Sequence, residues 1–429
     1  MNWLIKCREV VKRYRLCDAC LGRLFGLRGY GLSNRDRGRA LKTMLVMDAY
    51  RSERGLADEE LVRALAETGF EPAIRLLRDK LKVEVKRAPC YLCGGLMDRL
   101  NELANRVAAA LSEYEFTTFV LGCRLPLDLV VREEKLWTFL GLEDAESIKS
   151  EITREVGKMV KEMLGKEYSQ ESPDVMAIID LRDGSVEVMS KPLFVYGRYR
   201  KLVRGLPQNP WPYKDSDRVL YDTSIEELIT PPIVEAAAGA GAKFHAAGRE
   251  DVDVRTLGTG RPFVVEVKNP KRRSLDLKAL ERAINERGRG LIEVEGLRLV
   301  DRSYVSRIKA LAELAKKTYV ARVKFSDPVS EERLKALEEE FRGAVIRQRT
   351  PLRVLGRRAD RVRRKVVYSV KARKIGEDVV EFTITCQGGL YVKELIHGDE
   401  GRTQPNFSDF LGVKVEDIEL DVVAVEEAS

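Results

Sequence analysis

The stretch Gly248-Arg249-Glu250-Asp251-Val252-Asp253-Val254-Arg255 decides how this chain is read. Charges stand at 249, 250, 251, 253 and 255, and Thr256-Leu257-Gly258-Thr259-Gly260-Arg261 follows as a glycine-bearing turn. An apolar strand, Pro262 to Val267, comes next. Charges crowded in a loop beside a strand mark a place where sites are built, although a solvated loop of salt-bridged residues shares the pattern. A second segment, Gly389-Leu390-Tyr391-Val392-Lys393-Glu394-Leu395, runs into Ile396-His397-Gly398-Asp399. It sets a lysine at the end of a short glycine-led apolar stretch. One buried carboxylate and one cation can be assembled from these two pieces, because an adjacent ammonium favours the ionised form that burial disfavours.

Around these segments, helix is expected at Glu226 to Ala238, Ser274 to Glu286, Tyr304 to Lys317 and Glu331 to Phe341. Strands are expected at Pro262 to Lys268, Leu291 to Val300, Tyr319 to Phe325, Lys365 to Ala372 and Val379 to Cys386. Several of these strands read as hairpin-connected, with Gly376-Glu377-Asp378 as one turn, so an α+β domain on a largely antiparallel mixed sheet fits better than a doubly wound fold. Upstream, residues 1–100 read as mostly helical, with apolar spacing of three and four over Arg35 to Tyr50 and Asp58 to Leu81. Residues 101–205 mix a helix at Glu151 to Leu164 with a hairpin of Val175 to Leu181 and Val186 to Met189. Leu206 to Tyr213, with three prolines and a tryptophan, reads as a connector.

At 429 residues the chain has room for two or three cores. A net charge of +8 and a pI near 9 favour a polyanionic partner. Charged residues make up 34% while histidine is scarce, a balance that leans towards heat adaptation. Without a signal peptide or an apolar run near the roughly 20 residues that span a bilayer, a cytosolic location is expected, and no membrane partner. Two basic clusters stand out: Arg198 to Arg204, and Arg357, Arg358, Arg361, Arg363, Arg364 and Lys365 just before a strand. Both are candidates for phosphate contacts.

Cys17-Asp18-Ala19-Cys20 and Cys90-Tyr91-Leu92-Cys93 form two C-x-x-C pairs in a chain expected to stay reduced. Two such turns supply the four thiolates of a tetrahedral zinc site. Four thiolates leave no open position, so one structural Zn²⁺ per chain is expected. Cys7, Cys123 and Cys386 stand singly and are expected outside the site.

Two chemistries fit the acidic segment. Asp253 with Glu266-Val267-Lys268 makes a loose D…E-x-K pattern, in which carboxylates hold Mg²⁺ and the lysine steadies an attacking hydroxide, as in a nuclease. Alternatively a single carboxylate works covalently without a metal. A non-catalytic, zinc-stabilised RNA-binding protein is the third reading.

Gly-Arg-x-Asp at 248–251 resembles the catalytic motif of pseudouridine synthases. Gly389-Leu-Tyr-Val-Lys-Glu-Leu resembles their later motif, where a lysine or arginine pairs with that aspartate. The likeness extends over Cys17 to Arg23, Gly197 to Trp211, Phe244 to Pro270, Lys317 to Val320, Gln348 to Arg358 and Lys393 to Pro405, and is to the archaeal tRNA pseudouridine synthases of the Pus ten family. Gly356 and Leu395 depart from the pattern.

The resemblance implies isomerisation of uridines 54 and 55 in the tRNA T-loop, by a catalytic aspartate and without a catalytic cofactor. It implies catalytic roles for Asp251, Tyr319 and Lys393, with Lys393 facing Asp251 and Tyr319 stacking on an extruded uracil. Arg249 is expected to fill the gap the base leaves, and Arg357 and Arg358 to help bind substrate. Asp253 is expected in an ion pair with an arginine, and His245 and His397 in hydrogen-bonded structural roles. The implied organisation is a helical zinc-binding region (1–100), a THUMP-like RNA-binding domain (101–205) and a catalytic domain (206–429). A monomer acting on tRNA is expected.

Overall fold

Apolar residues spaced by three and four make helices of most of the first hundred residues in the computed structural model, which describes residues 2–26, 28–51, 55–142, 145–211, 220–356 and 358–426. They are α1 (Asn2–Arg13), α2 (Asp18–Leu24), α3 (Asn34–Ala49), α4 (Glu59–Glu67) and α5 (Glu71–Leu76), with a small hairpin of β1 (Tyr50–Arg51) and β2 (Gly55–Leu56). The continuous helix expected over Asp58 to Leu81 is interrupted. Asp58 caps α4, Gly69 turns the chain at φ 83°, Pro72 stands in the first turn of α5, and Leu77–Leu81 widens into a π-helical turn. Helices α2 and α3 cross so closely that a Cβ at Gly22 or Gly38 would lie 1.8 Å from a carbonyl of the other helix.

The same unit continues through α6 (Leu100–Leu111), β3 (Thr118–Arg124), α7 (Leu127–Leu140), α8 (Ile148–Leu164), β4 (Glu167–Tyr168), β5 (Val175–Asp180) and β6 (Val186–Ser190). Its sheet has the order β4-β3-β5-β6, parallel at β3 and antiparallel in the expected β5–β6 hairpin. One apolar core runs from Val10 through Leu65 to Phe119, Val156 and Ile179, so the helical region and the mixed region share an interior.

Residues Lys191–Ser429 form the second unit. The stretch 191–205, expected to close the RNA-binding region, therefore belongs here, because β7 (Leu193–Lys201) is an inner strand of the large sheet. The further elements are α9 (Ile225–Ala236), β8 (Gly241–Ala246), β9 (Arg255–Lys268), α10 (Leu277–Arg287), β10 (Ile292–Val300), α11 (Ser303–Leu314), β11 (Lys316–Phe325), α12 (Glu331–Glu340), β12 (Val345–Arg349), β13 (Val362–Lys374), β14 (Val379–Gln387), α13 (Val392–His397), β15 (Thr403–Gln404), α14 (Phe407–Leu411) and β16 (Val415–Val425). The strand order is β10-β7-β9-β16-β11-β14-β13-β12-β15, with β8 against the second half of β9. Pairing is antiparallel except where β16 meets β9 at Asp421↔Arg255 and Val422↔Thr256, the largely antiparallel mixed sheet that was expected.

The turn expected at Thr256–Arg261 is an irregular part of β9. Gly258 and Gly260 take φ of 55° and 67°, and Thr256 pairs with Lys201 while Arg261 pairs with Tyr199. A Cβ on Gly258 would fall 1.9 Å from the Val423 carbonyl, so glycine is required where β9 meets β16. Opposite this point β16 carries an extra residue, shifting register between Thr318 and Tyr319 of β11. Such a bulge re-aims the side chains beside it.

Candidate active site

The loop that enters β9 is held from below by buried polar groups. Tyr199 is fully buried and donates to the Glu250 carboxylate at 3.0 Å, and Arg261 forms an ion pair with Glu250 at 2.7 Å. Gln208 donates to the Tyr199 oxygen and to the Gly248 carbonyl. The buried Lys201 ammonium donates to the carbonyls of Leu206, Asp251 and Val252. Burial, partly offset by Glu250 and Asp253, lowers that lysine to about 8. A buried carboxylate without its cation is costly, so Glu250 and Arg261 hold the loop as a pair.

Above this platform lies a cavity of about 370 Å³ lined by Asp251, Arg261, Lys317, Tyr319, Arg353 and Lys393, among others. Asp251 reaches it from the loop and Tyr319 from β11. Burial, then Cys386, pushes the Tyr319 hydroxyl above the ordinary phenol range. The structure corrects the expected cation pairing. Asp251 is paired with Arg353 at 2.9 Å, whereas Lys393 pairs with Asp253 at 2.5 Å. The cause is local. Val254 N–H donates to the Asp251 carbonyl at 3.0 Å, so residues 251–254 form a tight turn and Asp253 projects towards the first turn of α13, where Lys393 sits. Burial raises Asp253, but the hydrogen bond and charge of Lys393, with Arg353 adding to them, together outweigh it and leave the carboxyl below its usual range. The ion pair expected for Asp253 is present, with a lysine in place of an arginine.

Arg353 was not singled out from the sequence, although it lies within the matched segment Gln348 to Arg358. It stands on a 3₁₀ turn, Leu352–Val354, and forks between Asp251 and Glu394, which is 1% exposed. The burial cost to its charge is outweighed by Glu394 and Asp251, which hold the guanidinium above its usual range.

The remaining expected residues divide. Arg249 lines the cavity and lies over the Trp211 ring at 5.7 Å. Arg358 also lines it and donates to the Tyr391 hydroxyl at 3.0 Å, while Arg357 lies outside the described residues. Arg363 and Lys365 face the cavity, and Arg364 is exposed. The Arg198–Arg204 cluster is not a free basic face. Tyr199 and Lys201 are buried, Arg198 donates to the Thr259 and Val425 carbonyls, Arg200 pairs with Glu293 and Glu295, and Arg204 pairs with Asp421. Leu206 to Trp211 packs beside the aspartate loop, where a connector was expected, and residues 212–213 lie outside the described residues. His245 bonds Glu266 at 3.0 Å, and His397 Nδ1 accepts from Asp399 N–H.

The D…E-x-K nuclease pattern is not assembled. Glu266 pairs with Phe194 and Thr256 with Lys201 across β7, which separates them by roughly 23 Å at a strand's rise. Asp253 lies at the Thr256 end, so its carboxylate cannot share a cation with Glu266. Among the described residues, the cluster able to hold a metal is Cys17, Cys20, Cys90 and Cys93, whose sulfurs lie within 4.8 Å of one another. Cys17 and Cys93 sulfurs are 3.8 Å apart, close to the edge of a tetrahedron with Zn–S bonds of about 2.3 Å. The donor set fits a metal. Cys7, Cys123 and Cys386 are buried elsewhere.

Comparison with known proteins shows the family. A family model described as "Pus10, C-terminal" matches residues 194–426, and one for the archaeal Pus10 THUMP domain matches residues 103–180. The tRNA pseudouridine synthase Pus10 of Thermofilum pendens is 54% identical over 422 residues, covering 98% of this chain and 95% of that protein. The protein of the same name from Methanopyrus kandleri is 43% identical over 430 residues, covering 97% of each chain.

Proposed function

Because the chain belongs to the Pus10 family of tRNA pseudouridine synthases, we propose that it converts uridines 54 and 55 of the tRNA T-loop to pseudouridine with Asp251 as the essential carboxylate. The observation that carries the assignment is the placement of Asp251 and Tyr319 in one cavity, with Arg353 on the carboxylate. A carboxylate paired with an arginine at the mouth of a cavity is equipped to act at the sugar, as nucleophile or as base. Tyr319 supplies an aromatic face for an extruded uracil, and its hydroxyl, kept protonated, can exchange a proton with the base. Lys393 completes the catalytic set through the Asp253 pair at the cavity rim. Arg249, whose guanidinium already stacks on an indole, is suited to replace the extruded base in the RNA. Arg357 and Arg358 belong to the substrate-binding side.

The reading keeps the helical zinc-binding region, the THUMP-like domain and the catalytic domain as functional divisions, and one structural zinc on the four cysteines. The zinc would supply rigidity to the turns that carry it and takes no part in the chemistry.

Position mapping of pseudouridine on an unmodified tRNA transcript tests the proposal. The wild-type protein is expected to modify positions 54 and 55, Asp251→Ala neither, and Asp253→Asn both at reduced rate. Modification elsewhere, full activity of Asp251→Ala, or Mg²⁺-dependent strand cleavage would each refute it. Elemental analysis should find about one zinc per chain, from four ligands per site.

A further inference from the structure

A buried cation in the cavity is left unused by the pairing described so far. Lys317 stands on β11 two residues before Tyr319, so the strand's period of two puts both side chains on one face, and both line the cavity with Asp251. Lys317 is 5% exposed. Its ammonium makes only a long contact, 3.5 Å, with the Ala247 carbonyl, and among the described residues it has no carboxylate partner. Of the neighbouring cations, Arg261 is committed to Glu250, Arg353 to Asp251 and Glu394, and Lys393 to Asp253, while the less buried Lys365 has no ion pair among the described residues. The groups facing Lys317 are Arg261 of β9, Glu250 of the loop, Lys365 of β13 and Cys386 of β14. Burial, then Arg261, draws its amine down to about 7. Keeping an amine in such a place is costly unless the reaction brings its partner.

We propose that Lys317 is a catalytic residue of the isomerisation, its ammonium stabilising the negative charge that develops on the uracil carbonyl as the glycosidic bond breaks. This rests on the isomerase reading above. When C1′–N1 breaks, the bonding pair stays with the base, and the charge spreads over N1 and the carbonyl oxygens. The base turns and C5 bonds to C1′. The C5 proton then leaves and N1 takes one up, so nothing is oxidised or reduced. A buried donor, placed where charge appears only in the transition state, accelerates the breaking step without tightening substrate binding.

The test is single-turnover loss of the target nucleoside on two tRNA transcripts, one with uridine and one with 5-fluorouridine at the target. Fluorine stabilises the departing base anion and so reduces the need for Lys317. In Lys317→Met the uridine rate is expected to fall by about 10²- to 10³-fold, the usual loss for one such donor, with tRNA affinity within about twofold. The deficit on the fluorinated substrate should be markedly smaller. Wild-type kcat/KM is expected to fall as pH rises through about 7, where the ammonium is lost. Lys317→Arg, which keeps its charge, should move that limb upward. Equal deficits on both substrates, no deficit, or a limb unmoved in Lys317→Arg would overturn the assignment. A wild-type protein that made no pseudouridine would instead sink the isomerase reading.

Discussion

Arg353 reaches two carboxylates with one planar fork, a geometry a lysine cannot reproduce because its ammonium is a single point of charge. Arg353→Lys should therefore keep either Asp251 or Glu394 paired, but not both. We expect kcat to fall by about 10²-fold with KM for tRNA little changed, as when one positioned electrostatic partner is lost. Single-turnover and steady-state kinetics on one transcript separate the two, and unchanged kcat would remove Arg353 from the site. The place of Asp251 at the cavity was legible from its motif. Its partner was not. Five charges in eight residues do not reveal which are buried, so the roles of Glu250 and Arg261 could not be read locally. The turn at 251–254, which sends Asp253 and not Asp251 to Lys393, depends on a platform built from Tyr199, Lys201 and Gln208, far off in sequence.

Helix α8 carries a carboxyl group into the interior of the first unit. Burial, opposed by Arg23, raises Glu151 to about 7. Its ordinary value is about 4.3. Between those two values the folded state holds a proton that the unfolded state has released, so stability falls as pH rises across that window and levels off above it. Glu151→Gln should flatten this dependence and raise the melting temperature of the unit at pH 8 relative to wild type. Thermal melts from pH 4.5 to 8 would show it, and parallel curves would refute it. Element by element, α3, α8, α12, β10 and β14 were legible from periodicity and turn residues. β16 was not, because Glu416, Asp417, Glu419 and Asp421 hide a strand of which Leu420 and Val422 face the core. The basic run in β7 was misread for the converse reason: its charges are spent on carbonyls and carboxylates of adjoining strands.

Across the catalytic unit, the arginines fall into those consumed by the fold and those left over. Arg347 and Arg364 are directly opposite on β12 and β13, both exposed, with no ion pair among the described residues. Like charges so placed are unfavourable unless a polyanion lies across them. Replacing either by alanine should reduce the salt dependence of tRNA affinity by about one unit of log–log slope, the loss of one phosphate contact. Filter binding at several salt concentrations measures it, and unchanged slopes would place the RNA elsewhere. The fold class was legible because hairpin spacing and turn residues are local, whereas the path of the sheet was not. Its centre is made by the last strand. Among the described residues, β16 is the one strand that links β9, which follows the Asp251 loop, to β11, which carries Lys317 and Tyr319. On a ribosome, a nascent chain stopped before Val415 would already contain every proposed catalytic side chain, yet its two half-sheets would have no common strand. Activity is therefore expected only once β16 is in place.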